Sequence, residues 1–218
     1  MHPDTQVSGF GNSGVRANNV LVKIWLHPRA TLRYILVHCP YKHVTQLFLL
    51  GGIARAVGRI SGQHAADVSG RVLLAATVGG AFGWLTFWAY AWGLSLTGQW
   101  PGGRATTALF RTVVAWALLP TVLSLLPTGL ALDIQSENAF RREVLDLPIS
   151  SETQLLILAS IQLLLAAWTV AIMLSGIQLV QGFSWGRAVL NMLLPGGILV
   201  AVIGVTLGLM KLLEMAAA

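Results

Sequence analysis

The sequence predicts an all-α fold, a polytopic membrane helix bundle of about five transmembrane helices with an N-terminal interfacial helix. Three observations carry that prediction. Val72 to Thr97 is a run of 26 residues without one Asp, Glu, Lys, Arg or His. Roughly 20 apolar residues at 1.5 Å of rise cross a bilayer core, so this run spans it with room to tilt. Further runs of the same kind follow, which argues against one greasy helix inside a soluble domain. Composition agrees: 55% of the 218 residues are hydrophobic and 10% charged, where soluble domains average about 25% charged. The mean hydropathy is +0.71.

The chain opens on a tail, residues 1–19, rich in Gly, Ser and Asn. It has no apolar core, so it reads as a flexible polar segment and not as a cleavable signal. Residues 20–43 follow as a basic and apolar segment. Pro28 suits the first position of a helix, where no amide partner is needed. Leu32, Ile35 and Leu36 share a broad face behind it. Lys23, Arg29, Arg33 and Lys42 are expected to contact lipid headgroups of an anionic leaflet. An alternative reading makes them ordinary charges flanking the first span.

Five spans are expected at about residues 44–60, 72–97, 112–132, 155–180 and 188–210. The first is the weakest, with 11 uncharged residues from Val44 to Ala54 before Arg55 and Arg59. Both arginines can snorkel to the far surface if the segment crosses. A re-entrant hairpin or a surface helix is the competing assignment.

The second span, Val72 to Thr97, is the stretch around which the bundle is expected to be organised. At about 100° per residue, Gly79, Gly83, Thr86 and Gly93 share one smooth face, with Trp84, Trp88 and Trp92 opposite. A smooth face lets a second backbone approach closely, and the aromatic one suits lipid or the headgroup boundary. The third span, Thr112 to Leu132, holds 21 uncharged residues and is interrupted by Pro120 and Pro127. An acidic stretch from Asp133 to Glu152 reads as a solvated loop that matches no calcium-loop pattern.

On the fourth span Gln162, Ala166, Thr169, Met173 and Gly176 fall on one side, with Ser160, Ala167, Ala171 and Gln178 on the other. Small or polar residues on both sides suggest a helix surrounded by protein. On the fifth, Gly197, Ala201, Gly204 and Gly208 form a second smooth stripe for helix packing. With the N-terminus inside, eight Lys and Arg residues flank the cytoplasmic side and six the other, a weak positive-inside vote for a C-terminus outside.

These residues resemble the Yip family of Ypt/Rab-interacting membrane proteins, in one of its bacterial branches. The resemblance is carried by Ile24 to Ile35 (IWLHPRATLRYI), by Val114 to Pro120 (VAWALLP) and by Gln181 to Pro195, within a range from about Ile24 to Leu209. It implies a Yip-like transmembrane domain over residues 44–212, with five helices and a cytoplasmic N-terminus. Eukaryotic relatives are described as partners of small prenylated GTPases. This chain lacks their long N-terminal region, and that role is not carried over.

The chemistry within the spans is sparse. The four strong spans contain no Asp, Glu or His, which argues against intramembrane proteolysis, phosphotransfer or proton relay there. No catalytic or metal site and no cofactor are expected. His38, Cys39 and His43 are the one local group of potential ligands, and the single cysteine excludes an internal disulfide. A net charge of +6 on so few charged residues is a membrane-flank signature, so no nucleic-acid partner is expected.

Two functions stay open. One is a non-enzymatic organiser or adaptor of the bacterial inner membrane, with membrane lipids and other membrane proteins or a second copy as partners. The other is a small transporter or channel subunit for a weakly charged solute. In that reading Gln162, Thr169, Gln178 and Asn191 form a polar bundle interior. Interhelical hydrogen bonding is the plainer explanation of those four side chains.

Overall fold

The computed structural model describes residues 19–60, 68–135 and 151–217, and every regular element among them is an α-helix. A short α1 (Val20–Leu26) breaks at His27 into α2 (Pro28–His38), and α3 (Val44–Ile60) follows. The break has a local cause: His27 precedes a proline, which disfavours helical backbone there, and its φ and ψ are −134° and 64°. Pro28 then takes the first position of α2. Then come α4 (Val68–Gln99), α5 (Thr107–Ala117), α6 (Leu119–Leu123), α7 (Leu125–Gln135), α8 (Ser151–Gln181) and α9 (Trp185–Ala217). The acidic loop and the polar tail lie almost wholly outside the described residues.

Among the described residues four stretches are long and apolar enough to cross a membrane: Gly70–Gln99, Thr107–Leu132, Glu152–Gln181 and Trp185–Leu212. α3 has 17 residues, about 25 Å at 1.5 Å per residue, just short of a typical core. The span at 112–132 is not one helix. It is α5, α6 and α7 in succession, with interruptions at Leu118 and Ser124, and Pro120 is the second residue of α6.

Adjacent helices run antiparallel. Phe48 meets Phe87, and Gly52 and Ala56 lie against Gly83 and Gly79, which fixes the α3–α4 hairpin. Down α5, α6 and α7, Val113, Thr121 and Thr128 meet Gly176, Thr169 and Gln162 of α8 in reverse order. Thr97 and Gly93 of α4 meet Asn191 and Pro195 of α9. The start of α3, the α4–α5 turn and the α8–α9 connector therefore share one end of the bundle. The α1–α2 segment packs at that end too, with Leu32 against Gly176.

The most enclosed helix is α5, not α4. Of the most apolar 18 residues in each stretch, half are buried in Thr107–Leu132, against 11% in Gly70–Gln99. Thr112 to Ala117 is continuously buried, and the core gathers Ile24, Leu32, Ile35, Phe48, Leu94, Phe110, Ile172 and Ile177 around it. α4 has neighbours along only part of its circumference, so most of its apolar surface is left for lipid.

Two expectations about faces change. α8 is not surrounded by protein: Ser160, Ala166, Ala167 and Ala171 are exposed, and burial is concentrated near its C-terminal end. Small residues there reflect tolerance to lipid as much as close packing. α9 carries Pro195 inside the helix, where the missing amide and the ring weaken the straight backbone ladder. Every residue from Gly196 to Leu212 is exposed. Among the described residues nothing packs on the Gly197, Ala201, Gly204 and Gly208 stripe, and a Cβ at any of the three glycines would have none of them within 4 Å.

Candidate helix-packing and polar sites

The closest approach of two backbones is between α3 and α4. A Cβ on Gly52 would stand 2.7 Å from Gly83 Cα and would overlap the Gly79 carbonyl oxygen. A Cβ on Gly83 would in turn overlap Gly52 Cα, and one on Gly79 would overlap Ala56 Cβ. Nothing larger than glycine fits Gly52 or Gly83 without separating the helices. Gly93 faces α9 instead, with Pro195 Cβ 3.1 Å from where its own Cβ would be. Thr86 does not belong to this contact. It is exposed, and its hydroxyl donates to the Phe82 carbonyl at 2.7 Å.

Opposite the glycines, Trp84, Trp88 and Trp92 are 39%, 37% and 51% exposed. Trp88 nevertheless has a protein partner, since Arg111 of α5 stacks over its ring at 4.5 Å from the centroid. A desolvated guanidinium over an indole is worth about 2 kcal/mol. The contact matters more because Arg111 Nε is buried with no hydrogen-bond acceptor. On the far side of the glycine contact, Arg55 lies 5.9 Å from the Phe87 ring.

A polar node closes the end of the bundle where α4, α5, α8 and α9 meet. Ser95 and Thr107 hydroxyls are 2.8 Å apart, and Gln181 Oε1 accepts from the Ala105 amide at 3.1 Å. Fully buried Asn191 reaches Thr97, whose Oγ1 lies 2.9 Å from both Asn191 Oδ1 and the Gly93 carbonyl. One hydroxyl proton serves one acceptor at a time. Gln181 Nε2 and Asn191 Nδ2 are left as buried donors, and both crowd Gly98, where a Cβ would overlap the first and stand 3.2 Å from the second. Gly102, at φ +89°, turns the chain between α4 and α5. Gly98 and Gly103 are thus required by the amide groups beside them, and Gly102 by its backbone.

Of the four polar residues proposed from sequence, the structure places two on the α6–α7 side of α8. Gln162 Nε2 donates to Thr128 Oγ1 at 3.1 Å, and the Thr121 and Thr169 hydroxyls are 3.1 Å apart. Asn191 belongs to the end node, and Gln178 is half-buried between these positions. The four do not converge on one site. The sequence reading missed Gln181 and Gly52. Gly52 had a visible signal, the Gly51–Gly52 pair in the middle of α3. Gln181 had none, because it ends α8 and its partners lie in the distant α4–α5 turn, which no local pattern reveals.

The basic residues of the N-terminal segment split in two. Arg29 and Arg33 are exposed on α2, opposite the buried Thr31, Leu32 and Ile35. Lys23 lies on α1 and is half-buried, while Lys42 is exposed in the link to α3 beside His43. His38, Cys39 and His43 do not form a ligand set: His38 stacks on Tyr34 at 4.4 Å, and His43 Nδ1 pairs with Gln46 Oε1 at 3.1 Å.

A family model described as Yip1 domain matches residues 22–206 of this chain. No curated protein and no solved structure matches it.

Proposed function

The chain belongs to the Yip family of integral membrane proteins, and from that premise we propose that it is a non-enzymatic organiser or adaptor acting through helix and lipid contacts. Its place is the cytoplasmic membrane of a bacterium, with the N-terminus in the cytoplasm and the C-terminus outside. α3 crosses as the antiparallel partner of α4, making five crossings, and α2 lies at the cytoplasmic interface. There Lys23, Arg29, Arg33 and Lys42 meet anionic headgroups. No cofactor enters this reading, and its partners are lipids and membrane helices.

One observation carries the proposal. The polar side chains between α6, α7 and α8 bond one another, with Gln162 on Thr128 and Thr169 on Thr121. A solute path lined by Gln162 and Thr169 would have to break both pairs, each worth roughly 0.6 to 2 kcal/mol. Meanwhile the outer half of α9 offers Gly197, Ala201, Gly204 and Gly208 with no neighbour against the glycines among the described residues. Without an exclusion-from-water force in lipid, such a face associates by close backbone packing.

The test is cross-linking in native membranes. In a Cys39→Ser background, single cysteines at Ala201 and, as a control, at fully buried Ala115 are oxidised with a mild catalyst. Adducts with a second copy or another membrane protein from Ala201 alone are expected. Failure of every α9 position to form an adduct would remove the organiser reading.

A further inference from the structure

We propose that the cavity between α1, α2, α5 and the α2–α3 link binds the phosphate headgroup of an anionic amphiphile. This goes beyond the organiser reading and needs only that the bundle lies in a membrane. The three exposed cations Arg29, Arg33 and Lys42 would hold any anionic surface, whereas a cavity selects one headgroup.

The cavity has a volume of about 120 Å³ and is partly open to the outside. That equals the liquid volume of about four waters at roughly 30 Å³ each, room for a phosphate and the first carbons attached to it. Val20, Leu21 and Ile35 supply apolar wall, and Lys42 and His43 supply its polar side. Lys42 is a mobile point charge of the kind that binds phosphate.

The independent sign of a ligand is Trp116. It lines the same cavity, is 5% exposed, and its indole Nε1 is buried with no acceptor. An unpaired buried N–H costs about 1 to 3 kcal/mol, and an anionic oxygen in the cavity would relieve it. The link that carries Lys42 is also fixed. Thr112 of α5 donates to the Pro40 carbonyl, the Lys42 amide donates to Cys39 at 3.2 Å, and His43 takes a left-handed φ of 62°. His43 meets the edge of Trp116 at 6.4 Å between ring centroids. Leu21, 60% exposed, leaves an apolar exit for an acyl chain. A lysine, a buried donor and an apolar exit together specify a phosphate with a hydrocarbon tail.

Cys39, the one cysteine of the chain, lines this cavity and reports its occupancy by its rate of alkylation. The purified full chain in neutral detergent is treated with maleimide in the presence of short-chain phosphatidic acid, phosphatidylcholine of equal chain length, or inorganic phosphate. Phosphatidic acid is expected to slow alkylation, while the other two leave it unchanged. In Lys42→Gln the half-protecting concentration should rise about fivefold, the loss of one near-surface cation. Trp116→Phe, which keeps the ring and removes the N–H, should raise it as well. Equal protection by phosphatidylcholine, or protection unaltered in Lys42→Gln, would overturn the proposal. Protection by inorganic phosphate alone at the same concentration would overturn the amphiphile and leave a free-phosphate site. Lys42 is exposed, so that variant stays informative if Trp116→Phe fails to fold.

Discussion

Gly52 of α3 and Gly83 of α4 face each other so closely that a Cβ on Gly52 would stand 2.7 Å from Gly83 Cα. Helices in lipid gain by dispersion contact and hydrogen bonds, not by leaving water, so backbone proximity decides how tightly they associate. Gly83→Leu should therefore separate α3 from α4 and lower the melting temperature in detergent, at a cost of several kcal/mol typical of severe overpacking. Gly204→Leu is the matched control, because a side chain there enters open space. It should leave the melting temperature of the monomer unchanged. Equal losses from the two substitutions would show that α3 and α4 are not held by this contact.

Trp88 and Trp92 lie on the same broad side of α4 but should behave differently. Trp88 covers the Arg111 guanidinium at 4.5 Å, whereas Trp92 is 51% exposed. Trp88→Leu removes the aromatic face from a cation whose Nε has no other partner, and should cost about 1 to 2 kcal/mol more than Trp92→Leu. Detergent melting curves of the two variants decide it. A smaller loss for Trp88→Leu would make that side of α4 a pure lipid face.

Much of the architecture was legible in the sequence, for a simple physical reason. Long uncharged runs can be satisfied only as helices in lipid, so 72–97, 155–180 and 188–210 fall inside α4, α8 and α9. The rotation of α4 was partly legible too. Gly79 and Gly83 meet α3, but Thr86, about 40° from their centre line, is exposed. What could not be read was which helix is enclosed. In an all-apolar run the lipid face and the protein face have the same composition, so α5 gave no sign of being more buried than α4. The stripes on α4 and α9 are equally smooth in sequence, yet among the described residues only the first is covered. Whether the second is covered depends on a partner or on Pro195, neither of which a periodicity can express. Contacts between a helix end and a distant turn, such as Gln181 with Ala105, were invisible for the same reason.

The Gln162–Thr128 pair yields a third prediction. In a double-mutant cycle, Gln162→Leu and Thr128→Val should couple by about 0.6 kcal/mol, and by no more than roughly 2. The measurement is unfolding of reconstituted protein with each single and double variant. Additive losses would mean that the 3.1 Å contact contributes nothing, and would free Gln162 for another role.

Surface electrostatics supply a fourth. Arg29 and Arg33 are exposed on α2, and each cation near an anionic surface is worth about 1 kcal/mol. A peptide covering Val20 to Lys42 should bind anionic vesicles more tightly than neutral ones. Arg29→Gln with Arg33→Gln should remove about 2 kcal/mol of that preference at physiological salt. Equal partitioning into both vesicle types would leave these arginines as topology signals only.

The central claim is that α3 crosses the membrane as the partner of α4, giving five crossings from a cytoplasmic N-terminus. Compartment-specific reporters fused after Gly102, in the α4–α5 turn, and after Ala218 test it directly. Five crossings predict a cytoplasmic reporter at Gly102 and a non-cytoplasmic one at Ala218. The reverse pair would mean that only the four long apolar stretches cross and that α3 lies at the surface, which would contradict the account.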